Sequence, residues 1–205
     1  MKTTVIGLGA MGVGMAGNLF RAGHLTHAWN RSSERANAAA EQHGFALADT
    51  LETAAGQADL VITSVSADAD LLQVVDRLAT VMTAGSIVLD TSTVSIETAR
   101  KVSERLGAHG IHFLDAPVSG GKEGAEKATL VMMIGGDAAV LDQITPVLES
   151  VCRKIVHMGP VGSGQATKAV NQIMCAGINQ AVTEALAFGQ HQGLDMDMVV
   201  DVVSS

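Results

Sequence analysis

A glycine-rich segment near the start of the chain constrains the fold more than any other feature. Gly7, Gly9 and Gly12 stand at the spacing G-x-G-x-x-G, directly after the apolar run Thr3–Gly7 and before a helical pattern that begins at Met11. In this context the first glycine permits a tight turn, the second lets the backbone approach a pyrophosphate, and the third lets the helix pack on the strand. A purely structural glycine turn is the alternative. The pattern favours a dinucleotide-binding loop formed by Gly7, Leu8, Gly9, Ala10, Met11 and Gly12.

Short apolar runs alternate with amphipathic stretches through most of the chain. The apolar runs are predicted to be strands: Thr3–Gly7, Leu25–Trp29, Leu60–Ser64, Ile87–Asp90, Ile111–Asp115, Leu130–Gly135 and Ile155–Met158. The stretches between them have helical periodicity: Met11–Ala22, Ser33–His43, Leu51–Gly56, Ala69–Leu78, Ile96–Leu106 and Ala138–Val151. This alternation predicts an α/β fold of the Rossmann type, with a doubly wound and mostly parallel sheet.

The pattern changes after Gly164. From Gln165 to about Gln192 there is no proline and no strand signal, which predicts one long helix, and a second helix follows from about Asp195. We therefore expect a dinucleotide-binding domain over residues 1–162. Residues 163–205 would form a long interdomain helix and the beginning of an all-α domain.

The long predicted helix carries many apolar side chains with little predicted structure to cover them. They are Val170, Ile173, Met174, Ile178, Val182, Leu186 and Phe188. An apolar helix face of this kind needs cover. We expect the chain to end inside its second domain or to borrow cover from a second copy, and so to form a homo-oligomer, either a dimer or a tetramer.

Net charge and composition limit the ligands that the chain can bind. A formal charge of −8, with one Trp, no Tyr and four Phe, argues against nucleic acid, which needs basic stripes and stacking rings. No stretch approaches the roughly 18 consecutive apolar residues of a membrane helix, and no signal peptide is evident. These features predict a cytoplasmic protein that binds neither nucleic acid nor a membrane. Cys152, Cys175 and the seven histidines are scattered without metal-ligand spacing, so we expect no metal site.

The second predicted strand ends in Asn30, Arg31 and Ser32 rather than in an acidic residue. An Asp or Glu there would bind the ribose 2′-hydroxyl of NAD and repel a 2′-phosphate, whereas the Arg31 guanidinium can clamp that phosphate. The alternative is that Arg31 is a solvated loop residue. The segment favours NADP(H) over NAD(H) as the cofactor.

A serine and two glycines, Ser119, Gly120 and Gly121, follow the predicted strand Ile111–Asp115. Open α/β sheets place ligands beyond the carboxyl ends of their strands. The Ser119 hydroxyl and the backbone N–H groups of Gly120 and Gly121 can face one anion together, which makes a small carboxylate a candidate ligand. A Ser-Gly-Gly segment is more often only a turn, and that alternative stays open.

Lys168 lies about one turn into the long predicted helix, with Asn171 and Gln172 three and four residues further along the same face. The helix dipole and partial burial would both lower the pKa of its ammonium group, which suits a group that gives and accepts a proton. Lys168 is therefore a candidate acid/base. An exposed helix lysine is the usual alternative.

Three segments in this order are far more specific than the glycine fingerprint alone: GLGAMGVGMAGNL at Gly7–Leu19, DAPVSGG at Asp115–Gly121 and GPVGSGQATKAVNQ at Gly159–Gln172. Together they resemble the 3-hydroxyisobutyrate dehydrogenase, or β-hydroxyacid dehydrogenase, family. The resemblance implies an NAD(P)-dependent oxidoreductase that acts on short β-hydroxyacids or their semialdehydes. Asn171 followed by Gln172 is similar to the tartronate semialdehyde reductase branch, which leaves the substrate open.

The resemblance also implies roles for individual residues. Lys168 would be the catalytic acid/base with Asn171 beside it, and Gln172 would contact the substrate. Ser119, Gly120 and Gly121 would hold the substrate carboxylate. The remaining implied positions lie along the cofactor, with the first of them near the nicotinamide: Thr93, Val65 and Ser66.

Two rival functions stay open. Imine reductases share the N-terminal fingerprint and the asparagine–arginine pair, but another residue usually stands at the position of Lys168, and DAPVSGG is lost. From a different class, the chain would be an inactive scaffold that binds cofactor and turns nothing over.

Overall fold

Strands and helices alternate along the chain in the computed structural model, which describes residues Met1–Ser205. The strands are β1 Thr3–Ile6, β2 Leu25–Trp29, β3 Leu60–Thr63, β4 Ile87–Asp90, β5 His112–Asp115, β6 Val118–Ser119, β7 Leu130–Gly135 and β8 Cys152–Gly159. The helices are α1 Gly12–Arg21, α2 Ser33–His43, α3 Leu51–Ala55, α4 Asp68–Val81, α5 Ile96–Gly107, α6 Gly121–Glu126, α7 Ala138–Leu148, α8 Ser163–His191 and α9 Met196–Val203.

All eight strands belong to one sheet with the order β2-β1-β3-β4-β5-β7-β6, and β8 pairs with β7. The first five strands are parallel, whereas β7 runs antiparallel to β5 and β6. Because β2 and β3 lie on opposite sides of β1, the strand order reverses there, and open α/β sheets bind ligands at such a switch point. The predicted α/β Rossmann fold is confirmed.

The sheet lies between two apolar cores. Helices α1 and α7 contribute Met15, Leu19 and Ile144 to one core, and α4 and α5 contribute Leu71 and Val102 to the other. Strands β1, β3 and β4 are buried along their whole length, as expected for parallel strands covered on both faces. Because these strands pair in parallel, their carboxyl ends all lie at one edge of the sheet.

Two short elements near the sheet edge were not predicted from the sequence. Strand β6 has two residues and α6 has six, which is too short for a periodic pattern. Strand β8 is longer than the predicted Ile155–Met158 because it pairs with β7 along that strand's whole length. Strand β1 ends before Gly7 because that residue turns the chain with a φ of +96°.

The chain divides into two compact units, Met1–Lys168 and Ala169–Ser205. The second unit contains most of α8 together with α9, whose N-terminus is capped by the Asp195 side chain. Six of the seven apolar side chains singled out on the long helix are exposed, and Leu186 is half-buried. No helix of the chain has both the length and the apolar character needed to cross a membrane.

Candidate active site

The glycine loop between β1 and α1 has the shape of a phosphate cradle. A Cβ atom at Gly7 would lie 2.1 Å from the Ser64 carbonyl oxygen, and one at Gly12 would lie 1.9 Å from the Gly7 carbonyl oxygen, so a side chain fits at neither position. Around Gly9 no atom lies within 4 Å of the corresponding point. The loop is therefore tight on the protein side and open on the side from which a pyrophosphate would approach.

Asn30 holds this loop against the turn that follows β2. Its Oδ1 accepts a hydrogen bond of 2.9 Å from the backbone N–H of Leu8, and its Nδ2 donates one of 3.0 Å to the carbonyl oxygen of Ser32. The Leu8 side chain is buried in the core. Of the predicted cofactor residues, Asn30 and Leu8 thus shape the loop through contacts inside the protein.

A cleft of about 480 Å³ opens beside the glycine loop, a volume typical of small-molecule sites. It is lined by seven of the predicted cofactor residues: Gly7, Gly9, Asn30, Arg31, Ser32, Val65 and Ser66. Of the others, Ala10 lines a second cleft of about 370 Å³ beyond the loop. Leu8 also borders that second cleft, Met11 is half-buried, and Gly12 is buried.

One wall of the larger cleft comes from a face of α4 to which no sequence motif pointed. Its members are Asp70, Gln73, Val74 and Arg77. The last three lie three, four and seven residues after Asp70, which places all four on one side of a helix. This spacing could have indicated a shared surface. Trp29, the single tryptophan of the chain, also lines the cleft.

Two arginines of the cleft wall, Arg31 and Arg77, each form an ion pair. Arg31 Nη1 lies 2.9 Å from Asp70 Oδ1, with the Arg31 side chain 78% exposed. Arg77 donates two hydrogen bonds to Glu52, of 2.7 and 2.9 Å, and its guanidinium carbon lies 5.3 Å from the centre of the Trp29 ring. The hydrogen bond from Arg77 is the main reason why the pKa of Glu52 falls to about 2.

The loops after β3 and β4 are joined through a buried carboxyl group. Ser92 Oγ accepts a hydrogen bond of 2.9 Å from the Val65 N–H and donates one of 2.6 Å to Asp90 Oδ1. Asp90 Oδ1 also accepts a 2.7 Å hydrogen bond from the Thr63 hydroxyl, whereas Asp90 Oδ2 has no hydrogen-bond partner. Burial raises the pKa of Asp90 to about 6, although the bonds from Ser92 and Thr63 oppose that rise. Thr93, predicted to be near the nicotinamide, is exposed on this loop.

Asp115 pairs in register with Asp90 across β4 and β5 and holds the start of α8. Its two carboxylate oxygens accept hydrogen bonds from the backbone N–H groups of Gly162, at 2.7 Å, and Gln165, at 2.9 Å. Burial raises the pKa of Asp115, and these backbone bonds oppose the rise. Because the carboxylate accepts bonds from the first turn of α8, the helix begins at the carboxyl edge of the sheet.

Lys168 is buried one turn into α8, and its Nζ donates a hydrogen bond of 2.8 Å to the carbonyl oxygen of Val118. Val118 directly precedes Ser119, so the fold brings Lys168 to the predicted carboxylate-binding segment. Gly120 and Gly121 are exposed and have φ values of +132° and +61°. Asn171 and Gln172 belong to the second unit, where Asn171 Nδ2 donates a 3.2 Å bond to Gln172 Oε1.

No cluster of three His, Cys, Asp or Glu side chains is arranged to hold a metal ion. Cys152 and Cys175 are both free thiols, the first buried and the second exposed. Burial raises the pKa of Cys152 to about 12, so its thiol stays protonated at neutral pH.

Two family models match the chain. Residues 2–159 match the NAD binding domain of 6-phosphogluconate dehydrogenase, and residues 162–205 match the NAD-binding domain of NADP-dependent 3-hydroxyisobutyrate dehydrogenase. Among individual relatives, an uncharacterized oxidoreductase of Shewanella frigidimarina is 44% identical over 206 residues, which span 99% of this chain and 71% of the relative.

Solved structures agree with the family models. The 3-hydroxyisobutyrate dehydrogenase of Mycobacterium tuberculosis, solved with L-serine, superposes with a TM-score of 0.93 at 35% identity, covering 99% of this chain and 69% of that one. An imine reductase of Streptomyces aurantiacus superposes with a TM-score of 0.89 at 27% identity, covering 100% and 72%. The chain belongs to the 3-hydroxyisobutyrate dehydrogenase family of NAD(P)-dependent oxidoreductases, which act on CH–OH groups.

Proposed function

We propose that this chain transfers a hydride between NADP(H) and a short β-hydroxyacid or its semialdehyde, with Lys168 as the general acid/base. The observation that carries the proposal is the hydrogen bond from buried Lys168 Nζ to the Val118 carbonyl oxygen. This bond supports the proposal because the Lys168 ammonium group, our candidate proton donor, lies beside the segment that begins at Ser119. A proton donor and a carboxylate-binding segment side by side are what the reduction of a short acidic aldehyde needs.

The cofactor preference rests on the cleft beside the glycine loop. Bound NADPH would supply the hydride. Arg31 and Arg35 both line this cleft, and Asn30 stands where NAD-preferring domains carry an acid that would repel a 2′-phosphate. We therefore assign the 2′-phosphate to the Arg31 end of the cleft and the pyrophosphate to the open side of Gly9.

The protein side chains would handle the proton and the substrate charge. In the reductive direction, Lys168 gives a proton to the oxygen that develops negative charge, and in the oxidative direction it takes that proton back. The Ser119 hydroxyl and the N–H groups of Gly120 and Gly121 would hold the substrate carboxylate. Asn171 would help to orient the reacting oxygen, and Gln172 would contact the substrate from the same helix.

Two rival functions are an imine reductase-like activity and an inactive cofactor-binding scaffold. An imine reductase-like activity is favoured by the likeness to the Streptomyces enzyme. The buried lysine argues against it, because the family resemblance associates that position with hydroxyacid chemistry. An inactive scaffold would bind cofactor in the cleft but would transfer no hydride, so Lys168 would have no catalytic role.

A substrate panel tests the proposal. We would follow nicotinamide absorbance during reduction of methylmalonate semialdehyde, tartronate semialdehyde and a cyclic imine, and during the reverse reaction with 3-hydroxyisobutyrate, glycerate and L-serine, each with both cofactors. We expect turnover of at least one β-hydroxyacid and its semialdehyde, faster with NADP(H). Reduction of a cyclic imine alone would support the imine reductase rival. NADPH binding without turnover of any substrate would support the scaffold.

A further inference from the structure

We infer that Gln165 is a positioning residue: its side chain fixes both peptide groups that flank Thr93 and so holds the loop after β4 in register with Lys168. The inference rests on the proposed function, because it concerns the alignment of the cofactor with the proton donor.

The side-chain amide of Gln165 bonds to the backbone on either side of Thr93. Its Nε2 donates a hydrogen bond of 2.8 Å to the Ser92 carbonyl oxygen, and its Oε1 accepts one of 3.2 Å from the Val94 N–H. Gln165 is only 2% exposed. Because one backbone group is an acceptor and the other a donor, only one orientation of the amide satisfies both.

The backbone of Gln165 is held from a different strand. Its N–H donates to Asp115 at the end of β5, while its side chain reaches the loop after β4. Gln165 therefore joins the ends of two neighbouring strands to the first turn of α8. Lys168 lies three residues further along this helix, with its Nζ on the Val118 carbonyl oxygen.

The strand order explains why the position of the loop after β4 matters for the proposed reaction. The cleft beside Gly7 and Trp29 lies over the ends of β1 and β2 and reaches the end of β3, where Val65 and Ser66 line it, and β4 and β5 follow beyond β3 in the sheet. A dinucleotide that spans this crevice extends its second nucleotide toward the ends of those strands. Thr93 is exposed there between two buried neighbours. Gln165 is thus shared by the loop expected to meet the reactive end of the cofactor and by the helix that carries Lys168.

Substituting Gln165 by Met tests the inference, because Met has a similar length and can make neither bond. Hydrogen exchange of the 91–95 peptide, turnover and binding of 2′,5′-ADP would be measured. Trp29 is the only tryptophan and lines the cleft, so its fluorescence reports binding there. We expect faster exchange at Val94, turnover lowered by about 10²-fold, and 2′,5′-ADP binding within about two-fold, because neither Gln165 nor its partners Ser92 and Val94 line the cleft. Gln143→Met, on the exposed face of α7, is the matched control and should match the wild type.

The variant Gln165→Glu adds a second measurement, the pH dependence of turnover, which a purely structural role of Gln165 would leave unchanged. A protonated carboxyl group has an O–H donor and a carbonyl acceptor, which can replace the two bonds that the amide makes here, whereas a carboxylate has acceptors only. Turnover of this variant relative to wild type should therefore rise as the pH falls from about 8 to about 5.5, since burial raises the pKa of a glutamate. The ionisable groups on the elements that meet at Gln165 are Asp90, Asp115 and Lys168. They are present in both proteins, so a change with pH in the ratio of the two turnovers is assigned to the substituted side chain together with its coupling to these neighbours.

The outcomes separate this inference from the proposed function. Wild-type turnover in Gln165→Met, with or without faster exchange at Val94, overturns the positioning role. Should the wild type turn over no substrate, the proposed function fails, while faster Val94 exchange with retained 2′,5′-ADP binding still supports the link between Gln165 and the loop. If Gln165→Met does not fold, the pH-dependent recovery of Gln165→Glu decides, and a ratio independent of pH overturns the inference.

Discussion

Lys168 donates a 2.8 Å hydrogen bond to the carbonyl oxygen of Val118, and this contact joins the start of α8 to the two-residue strand β6. A buried ammonium group needs such a partner, because an unpaired buried charge is strongly destabilising. The same contact places the proton donor next to Ser119. The position of Lys168 thus serves both the packing of the helix and the proposed chemistry.

Lys168→Ala should lower turnover by about 10²–10⁴-fold, the usual contribution of a positioned acid/base. NADPH binding should stay within a few-fold, because Lys168 does not line the cleft beside the glycine loop. Steady-state kinetics and Trp29 fluorescence measure the two quantities. Lys101→Ala, an exposed lysine on α5, is the control and should behave as wild type. Wild-type turnover in Lys168→Ala would contradict the assignment.

The double variant Asn30→Asp, Arg31→Leu should reverse the cofactor preference. Loss of a charge-assisted contact to the 2′-phosphate removes about 1.5–3 kcal/mol, or about 10–150-fold in NADPH binding. The new Asp can still accept the bond from the Leu8 N–H, which holds the glycine loop, but it cannot donate to the Ser32 carbonyl oxygen as Asn30 does. Titrations of NADH and NADPH at matched ionic strength give the answer. A double variant that still prefers NADPH would show that Arg31 does not read the phosphate.

Asp70→Asn should tighten NADPH binding. Asp70 pairs with Arg31 in the cleft wall and competes with a phosphate for the same guanidinium. An exposed ion pair contributes about 0.2–1 kcal/mol, so binding should improve by about 1.5- to 5-fold. NADH binding should change less because it lacks the 2′-phosphate. Asp76→Asn removes an exposed pair with Arg105 elsewhere on α4 and serves as the control. Unchanged or weaker NADPH binding in Asp70→Asn would refute the competition.

Asp90 should make the protein more stable in mild acid. Burial raises the pKa of this carboxyl group from 3.8 to about 6, so between these values the folded state binds a proton that the unfolded state does not. Stability then rises as the pH falls through about 6 and is lost as the pH rises again, by up to about 3 kcal/mol. Urea unfolding at about pH 7.5 and pH 4.5 should show a larger rise for wild type than for Asp90→Asn. Equal changes in the two proteins would rule out Asp90 as the source.

We propose that this chain forms a homo-oligomer and that the apolar face of α8 drives its self-association. Ile173 and Phe188 are 72% and 66% exposed. Burying such side chains against a second copy is favourable by about 1.5–3 kcal/mol each, so Ile173→Asp with Phe188→Asp should weaken association by at least about tenfold. Sedimentation measures this, with Met158→Ser on β8 as a control. A monomeric wild type at about tens of micromolar would contradict the expectation.

Features that depend on residues close together in the chain can be predicted from the amino-acid sequence. The strand, glycine loop and helix at Thr3–Arg21 follow from apolar periodicity and from three glycine positions, and the missing acid after β2 is visible in the letters alone. The long helix that carries Lys168 is likewise a local pattern. A helix or strand pattern is set by neighbours within a few residues, so it can be read without knowing the fold.

Which of these residues come into contact depends on the three-dimensional fold. Arg31 and Asp70 are 39 positions apart, Asp115 and Gln165 are 50 apart, and Val94 and Gln165 are 71 apart. No periodic pattern in the sequence links positions so far apart. Strand β6, with only two residues, is too short to show a periodic pattern at all. Their contacts arise because the parallel strands end at one edge of the sheet and bring distant loops together there. The residues that line a site are therefore separated along the chain by whole strands and helices, and packing alone sets their distances.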